Sequence, residues 1–130
     1  MLRHSLSAAL LAAGICALPL ATASAAEPAM TGKTSAGQAL VNAKGMTLYT
    51  FDKDSSGKSA CNGGCAANWP PLMAKKGAKA MGEYSVVTRD DGSAQWAYDG
   101  KPLYTFIKDK KAGDAKGDGL MGVWHVAKPD

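Results

Sequence analysis

Apolar residues occur along this chain in short stretches bounded by turn residues, and no long stretch shows the 3.6-residue apolar period of a helix. The short stretches predict about six strands, at 40–42, 46–51, 84–89, 94–98, 102–106 and 122–127. Residues 66–69 are expected to form no more than one or two helical turns. The pattern therefore predicts a mainly β, small antiparallel domain.

Glycine-containing turns separate these stretches. Asp99-Gly100 and Asp91-Gly92 carry the Asp-Gly pair that is typical of tight hairpin connections, and residues 43–45 end in a glycine between two other stretches. Because such turns join neighbouring antiparallel strands, residues 84–106 are predicted to form a three-stranded meander.

An internal repeat is the strongest pattern in the chain. LVNAKGMTLYTFDKD, residues 40–54, aligns without a gap on QWAYDGKPLYTFIKD, residues 95–109, at an offset of 55 that also carries Trp69 onto Trp124. The alignment predicts two related strand-turn-strand-loop repeats, 38–72 and 93–127, arranged about an approximate twofold axis in one domain, 38–130.

Each repeat places a Tyr, a Phe, an Asp and a Trp at matching positions. In a two-repeat domain these side chains either fill a shared core or face a shared ligand pocket. Buried Tyr and Trp commonly have hydrogen-bonded polar tips, and an Asp after a strand commonly accepts backbone N–H bonds, so the core interpretation is favoured. The eight residues are Tyr49, Phe51, Asp54, Trp69, Tyr104, Phe106, Asp109 and Trp124.

YTFDKD and YTFIKD both fit the pattern Y-x-[FWY]-x-x-D. In this motif, and along most of the chain after residue 38, the sequence resembles a bacterial family of predicted lipoproteins and secreted repeats of unknown function. The resemblance implies little about function, because the family is defined by a sequence motif and offers no established activity to carry over. Many family members look like lipoproteins, whereas here Ile15 precedes Cys16, at a position where lipoprotein processing needs a small residue.

The first 26 residues have the layout of a secretory signal peptide, with Arg3 and His4, then an apolar stretch, then small residues. We expect cleavage after Ala26 or one residue earlier, and a flexible segment at 27–37. The apolar stretch is shorter than the roughly 20 residues that span a bilayer. The sequence therefore predicts a periplasmic or secreted protein with no transmembrane segment.

Removal of these residues changes the charge. The whole chain has 15 Lys+Arg and 11 Asp+Glu, and loss of Arg3 leaves 14 against 11. The lysines are spread along the chain and lack the interleaved aromatic residues of a single-strand binder. We therefore expect no nucleic-acid partner, and instead a monomer that binds an unknown envelope component or a small ligand.

Cys61 and Cys65 are the two cysteines that remain after cleavage, in an oxidising compartment that favours a disulfide. A redox-active pair is less favoured, because its usual spacing is C-x-x-C. Thiolates and imidazole also suit copper, so a site formed by Cys61, Cys65 and His125, with nearby Met or Tyr side chains, remains an alternative.

Other candidates for chemistry are few. Asp109, Asp114 and Asp118 on a glycine-rich loop could hold calcium, although their spacing does not fit the D-x-D-x-D-G loop. His125 is expected to be half-buried in a strand, and no nucleophile, phosphate-loop or haem motif is present. We predict no cofactor and a non-catalytic binding or structural module of the cell envelope. A metal-handling or electron-transfer accessory is the alternative, and an enzyme is the third interpretation.

Overall fold

A computed structural model describes residues 27–130, so the predicted signal peptide lies outside the described residues. Its elements are short, and most of them are antiparallel strands. In chain order they are β1 (Met30–Thr34), β2 (Gly37–Val41), β3 (Tyr49–Phe51), α1 (Gly64–Asn68), β4 (Tyr84–Thr88), β5 (Ala94–Tyr98), β6 (Lys101–Pro102), a 3-10 turn (Leu120–Gly122) and β7 (Trp124–Val126). The predicted mainly β, two-repeat fold is confirmed.

The segment 27–37, expected to be flexible, instead contains a strand. β1 pairs with β2 along its whole length, from Met30 opposite Val41 to Thr34 opposite Gly37. The sequence MTGKT is polar, so the pattern of apolar residues does not predict this strand, which is held by backbone pairing with β2. Each repeat therefore begins with a hairpin, β1–β2 in the first and β4–β5 in the second.

Each repeat has two hairpin turns, and both differ in length between the repeats. The first turn is one residue longer in the second repeat, and the second turn is one residue shorter. The β1–β2 turn has two residues between Thr34 and Gly37, while the equivalent β4–β5 turn has three, between Arg89 and Ser93. The next turn has three residues in the first repeat, 43–45, and two in the second, 99–100. Between these turns the structural offset is therefore 56, so that Leu40 corresponds to Trp96, and after them it returns to 55. The gapless alignment is thus one residue out of structural register over 40–42 and regains the register at Gly45 and Gly100.

The repeats meet at a pair of tyrosines on the approximate twofold axis. The Tyr49 N–H donates to the Tyr104 carbonyl at 2.8 Å, and the Tyr104 N–H donates to the Tyr49 carbonyl at 3.0 Å. The predicted strand 102–106 is shorter than expected, since β6 ends at Pro102 and Tyr104 forms only isolated bridges, to Tyr49 and to Pro71. The centre of the domain is therefore formed by short strands and isolated bridges, and not by one continuous sheet.

Each repeat completes the other. β3 of the first repeat pairs with β7 of the second, with Tyr49 opposite Val126, and the bridge between Tyr104 and Pro71 repeats this contact at an offset of 55. The Ala127 N–H donates to the Leu48 carbonyl at 2.8 Å, and its counterpart from Leu72 donates to the Leu103 carbonyl at 2.9 Å. Because these bonds cross between the repeats, neither repeat has its backbone partners without the other.

Side chains on opposite sides of the central strands form two cores. Tyr49 and Tyr104 point into one core with the Trp side chain of each repeat, while Leu48 and Leu103 point into the other. This division follows from the alternation of side chains along a strand.

Candidate functional site

The Tyr and Asp of the repeated motif form two hydrogen bonds that cross between the repeats. The Tyr49 hydroxyl donates to Asp109 Oδ2, and the Tyr104 hydroxyl donates to Asp54 Oδ2, both at 2.6 Å. Each carboxylate also accepts a backbone N–H from its own following loop: Asp54 Oδ1 from Ala60 at 2.7 Å, and Asp109 Oδ1 from Lys116 at 2.8 Å. The motif Asp therefore fixes its own loop and the strand of the other repeat.

Four aromatic rings of the motif form one continuous stack. Trp69 and Trp124 lie at its centre, 3.8 Å apart and 3° from parallel. Phe51 stacks on Trp124 at 4.2 Å, and Phe106 stacks on Trp69 at 4.1 Å. Each Trp also meets the edge of a motif Tyr, with ring centroids 5.2 Å apart in both pairs.

The two ends of the stack have different surroundings. Gly117 closes the Phe106 end, where an added Cβ would lie 2.5 Å from Trp69 Cη2 and 3.0 Å from Phe106 Cδ2, so only glycine fits without rearrangement. Phe51, at the other end, is only partly buried. It lines a shallow surface cleft with the edges of both Trp rings, beside the exposed Met121.

A buried arginine that the sequence reasoning missed supports one of the two Tyr–Asp pairs. Arg89 is 6% exposed. It donates to Ser59 Oγ at 3.1 Å, to Gln95 Oε1 at 2.7 Å and to the Cys61 carbonyl at 2.7 Å. Ser59 Oγ in turn lies 2.7 Å from the Tyr104 hydroxyl. The available signal was a single Arg at the end of an apolar strand, directly before Asp90-Asp91-Gly92.

Burial keeps the motif phenols protonated. Desolvation, followed by the hydrogen bond to a carboxylate, raises the pKa of Tyr49 and of Tyr104 far above the ordinary value of 10. Desolvation also raises the pKa of Asp54, against the lowering effect of its Tyr104 hydrogen bond. At neutral pH the phenols are therefore donors, and their protons are already held by carboxylates.

A family model described as a secreted repeat of unknown function matches residues 30–73 and 85–128. The chain belongs to this family. Both matched segments begin before the predicted repeats, 38–72 and 93–127, and so include the hairpins that start with β1 and β4. No curated protein and no solved structure matches the chain. Within residues 27–130 no helix is long and apolar enough to cross a membrane.

In this secreted-repeat chain, Cys61 and Cys65 are joined by a disulfide, with their Cα atoms 5.2 Å apart. Cys61 is fully buried and its carbonyl accepts the Arg89 bond, while Cys65 lies in α1. The helix continues to Asn68, and the N–H of Trp69 donates to the Cys65 carbonyl at 2.8 Å. The bridge therefore lies in the loop that positions Trp69.

His125 lies in β7, with about half of its side chain exposed to solvent. Its side chain is 47% exposed, and its Nε2 lies 2.7 Å from Asp52 Oδ2. Side chains alternate along β7, and since Trp124 and Val126 point inward, His125 points outward. Cys61 and Cys65 are not grouped with it, because no three His, Cys, Asp or Glu side chains among the described residues are arranged to hold a metal ion.

The three loop carboxylates considered for calcium point toward separate backbone donors. The Asp109 carboxylate accepts bonds from the Tyr49 hydroxyl and from the Lys116 N–H. Asp114 Oδ2 accepts the Lys110 N–H at 2.9 Å, and Asp118 Oδ1 accepts the Val126 N–H at 3.0 Å. Each carboxylate thus holds a different part of the loop, and the structure does not bring them together.

Proposed function

We propose that this chain is an exported, non-catalytic binding module of the cell envelope. One observation carries the proposal: the polar groups of the motif are bonded to each other across the repeats and are not free for a ligand or a substrate. A motif used in this way defines a rigid frame, so that the outer surface of the frame is what contacts a partner.

The family description agrees with export, and two features of the chain are typical of proteins found outside the cytoplasm. The disulfide between Cys61 and Cys65 is of a kind that persists in oxidising compartments. The sequence begins with a predicted signal peptide. The periplasm is the compartment we propose, with an envelope component or a small ligand as the partner.

Co-sedimentation with envelopes from the producing bacterium tests this function. Purified mature protein is mixed with washed envelopes, and the bound fraction is compared for wild type, Tyr49→Phe and Tyr104→Phe at a temperature where all three are folded. We expect wild-type binding that saturates and that both variants retain, because their hydroxyls face inward. Absence of saturable binding would contradict an envelope component as the partner, and loss of binding by a folded Tyr→Phe variant would make the motif ligand-facing.

The continuous aromatic stack favours one second candidate, an electron-transfer accessory. Four rings at stacking distance, flanked by two phenols that already share protons with carboxylates, could carry an electron between a soluble one-electron oxidant and a donor at the other end. A photogenerated ruthenium(III) oxidant tests it. A tyrosyl radical detected by electron paramagnetic resonance in wild type, and lost in Trp124→Leu, would support this role, whereas oxidation confined to surface Met would oppose it.

A further inference from the structure

A separate pocket lies where the first repeat begins, against the turn that leads into β4. It is a cavity of about 200 Å³, and none of its lining residues belongs to the motif or to the disulfide loop. Its lining combines two tyrosines, two methionines and two glutamates, namely Tyr84, Tyr98, Met30, Met81, Glu27 and Glu83.

The two tyrosines form an aromatic corner. Their ring centroids are 5.1 Å apart and the rings are tilted by 55°, so their faces are not stacked on each other. Tyr84 is 6% exposed, and Trp96 supports it edge-on at 6.5 Å. The Asp130 N–H donates to the Tyr98 hydroxyl at 3.0 Å, which orients that ring. Tilted aromatic faces around a small cavity attract a cation through the negative potential of the rings.

The charge of the pocket is opposite to that of the chain. The chain has a formal net charge of +4, yet the pocket is lined by Glu27 and Glu83 and by no Lys or Arg. Burial, and then the nearby carboxylates and Tyr98, raise the pKa of Tyr84 to about 12. The same negative surroundings that disfavour a phenolate favour a cationic guest.

The pocket arises where the twofold relationship fails. The offset of 55 places Ala29 at the position of Tyr84, so a methyl group in the first repeat stands where the second has a phenol ring. Backbone bonds fix the opposite wall: Met81 and Tyr84 exchange two bonds of 2.9 Å, and the Asp99 N–H donates to the Glu83 carbonyl at 2.9 Å. The cavity is therefore present before a ligand arrives.

We propose that this pocket binds a methylated ammonium group, with Tyr84 and Tyr98 against the methyl groups and Glu27 and Glu83 supplying the charge. The inference rests on the proposed binding function and names its ligand class. The thioethers of Met30 and Met81 offer polarisable surface to the same methyl groups. A free choline-like cation fits better than a phosphocholine headgroup, because a neighbouring phosphate would face the glutamates.

Titration of the mature protein with choline, followed by the NMR signals of the methionine methyl groups, tests the inference. We expect saturable shifts at Met30 and Met81, with a dissociation constant on the order of 1 mM for so small a ligand. The uncharged isostere 3,3-dimethyl-1-butanol should bind at least about tenfold more weakly, because only charge distinguishes the two. Cleavage after Ala26 would put an α-amino group on Glu27, so the titration is repeated at pH 9, where that amine is mostly neutral.

Two further arms separate a free cation from a lipid headgroup. Phosphocholine and phosphatidylcholine vesicles present the same ammonium group beside a phosphate. Choline binding that exceeds both supports the free cation as ligand, and vesicle binding that exceeds choline would overturn that part of the inference.

Matched variants locate the site. Glu27→Gln with Glu83→Gln should weaken choline binding about five- to tenfold, in keeping with two exposed charges. Asp52→Asn with Asp90→Asn removes the same charge elsewhere on the surface and should leave the binding unchanged. Tyr98→Leu should weaken binding with no loss of fold, as judged by an unchanged spectrum away from the pocket.

The outcomes distinguish this inference from the proposed function. Equal binding of choline and its neutral isostere, or shifts that do not involve Met30 and Met81, would overturn the cation pocket. If envelopes still bind in that case, the binding function stands without it. If choline binds in the pocket but envelopes do not, the module takes a small ligand and the envelope partner is excluded.

Discussion

The two Tyr–Asp pairs share one hydrogen bond and differ in what surrounds it. Around Tyr49 and Asp109 the remaining donors are backbone groups, from Lys116 and from Gly117, whose N–H lies 3.2 Å from the Tyr49 hydroxyl. Around Tyr104 and Asp54 the carboxylate likewise accepts a backbone N–H, from Ala60, but the Tyr104 hydroxyl contacts a side chain, Ser59, whose Oγ accepts a bond from Arg89.

This difference shows two ways to hold equivalent loops. The loop after Asp109 is rich in glycine and turns its own N–H groups toward the motif. The loop after Asp54 is held by a disulfide and by the guanidinium of Arg89, whose bonds reach Cys61 and Asn62. The motif is therefore constant, while the means of fastening its loop varies with the loop sequence. Four predictions test this contrast.

Replacement of Arg89 should have the largest effect. Arg89→Met leaves Ser59, Gln95 and the Cys61 carbonyl without their buried donor, and we expect it to lower the free energy of unfolding by about 3 kcal/mol. For a domain of about 100 residues this corresponds to a fall in Tm of roughly 12 to 24 °C. Thermal unfolding followed by circular dichroism measures it.

Lys116→Met is the matched control at the pair formed by Tyr49 and Asp109. Lys116 contributes only its backbone N–H to this pair, and its side chain is exposed. This variant should change Tm by no more than about 2 °C. Equal falls in Tm for Arg89→Met and Lys116→Met would show that the two Tyr–Asp pairs are not held in different ways.

Loss of the disulfide should have the next largest effect. A ring closed by Cys61 and Cys65 is small, so Cys61→Ser with Cys65→Ser should cost about 2 kcal/mol, or roughly 8 to 16 °C in Tm. Thiol titration of denatured wild-type protein from the periplasm should find no free thiol.

The same variant tests the copper alternative. Competition against a Cu(I) chelator should give equal, weak binding for wild type, the double Ser variant and His125→Ala, because oxidised cysteines cannot act as thiolates. Tight one-to-one binding by wild type that is lost in both variants would restore the copper site.

Much of this architecture could be predicted from the sequence, because the repeat carries spatial information. The offset of 55 implied equivalent environments for Tyr49 and Tyr104, and the structure gives them equivalent bonds to Asp109 and Asp54. The alignment could not show that each Tyr bonds the Asp of the other repeat, since an intra-repeat bond would leave the same sequence pattern.

Features without an apolar signal could not be predicted in this way. β1 is polar and is ordered by pairing with β2. The position of Arg89 at the end of an apolar strand was a weak signal of burial, because arginine is mostly exposed and two of its partners, Ser59 and Cys61, are 30 and 28 residues away in the sequence. The contact of His125 with Asp52 could not be predicted either, because the two residues are 73 positions apart in the sequence.

Removing the hydroxyl group of each motif Tyr compares the two Tyr–Asp pairs directly. Tyr49→Phe leaves the carboxylate of Asp109, which is 6% exposed, without its phenol donor, and we expect a cost of about 1.5 kcal/mol. Tyr104→Phe should cost about 1 kcal/mol, because Asp54 is partly exposed and water can replace the hydroxyl, while Ser59 keeps its bond to Arg89. Urea unfolding at pH 7 measures both, and a larger loss for Tyr104→Phe would reverse this ranking.

The smallest expected effect concerns pH and the pair formed by Tyr104 and Asp54. Desolvation raises the folded-state pKa of Asp54 above its ordinary value near 3.8, so the folded protein takes up this proton at a higher pH than the unfolded chain does. The resulting contribution to stability is complete below the unfolded pKa and is lost as pH rises through the folded pKa. We therefore expect the stability of wild type, relative to Asp54→Asn, to increase as pH falls from 7 toward 3.8, by less than the effect of either hydroxyl deletion. Urea unfolding of the two proteins at several pH values measures this difference, and a relative stability that falls with acid would mean that the Tyr104 and Ala60 hydrogen bonds to the ionised carboxylate outweigh its desolvation.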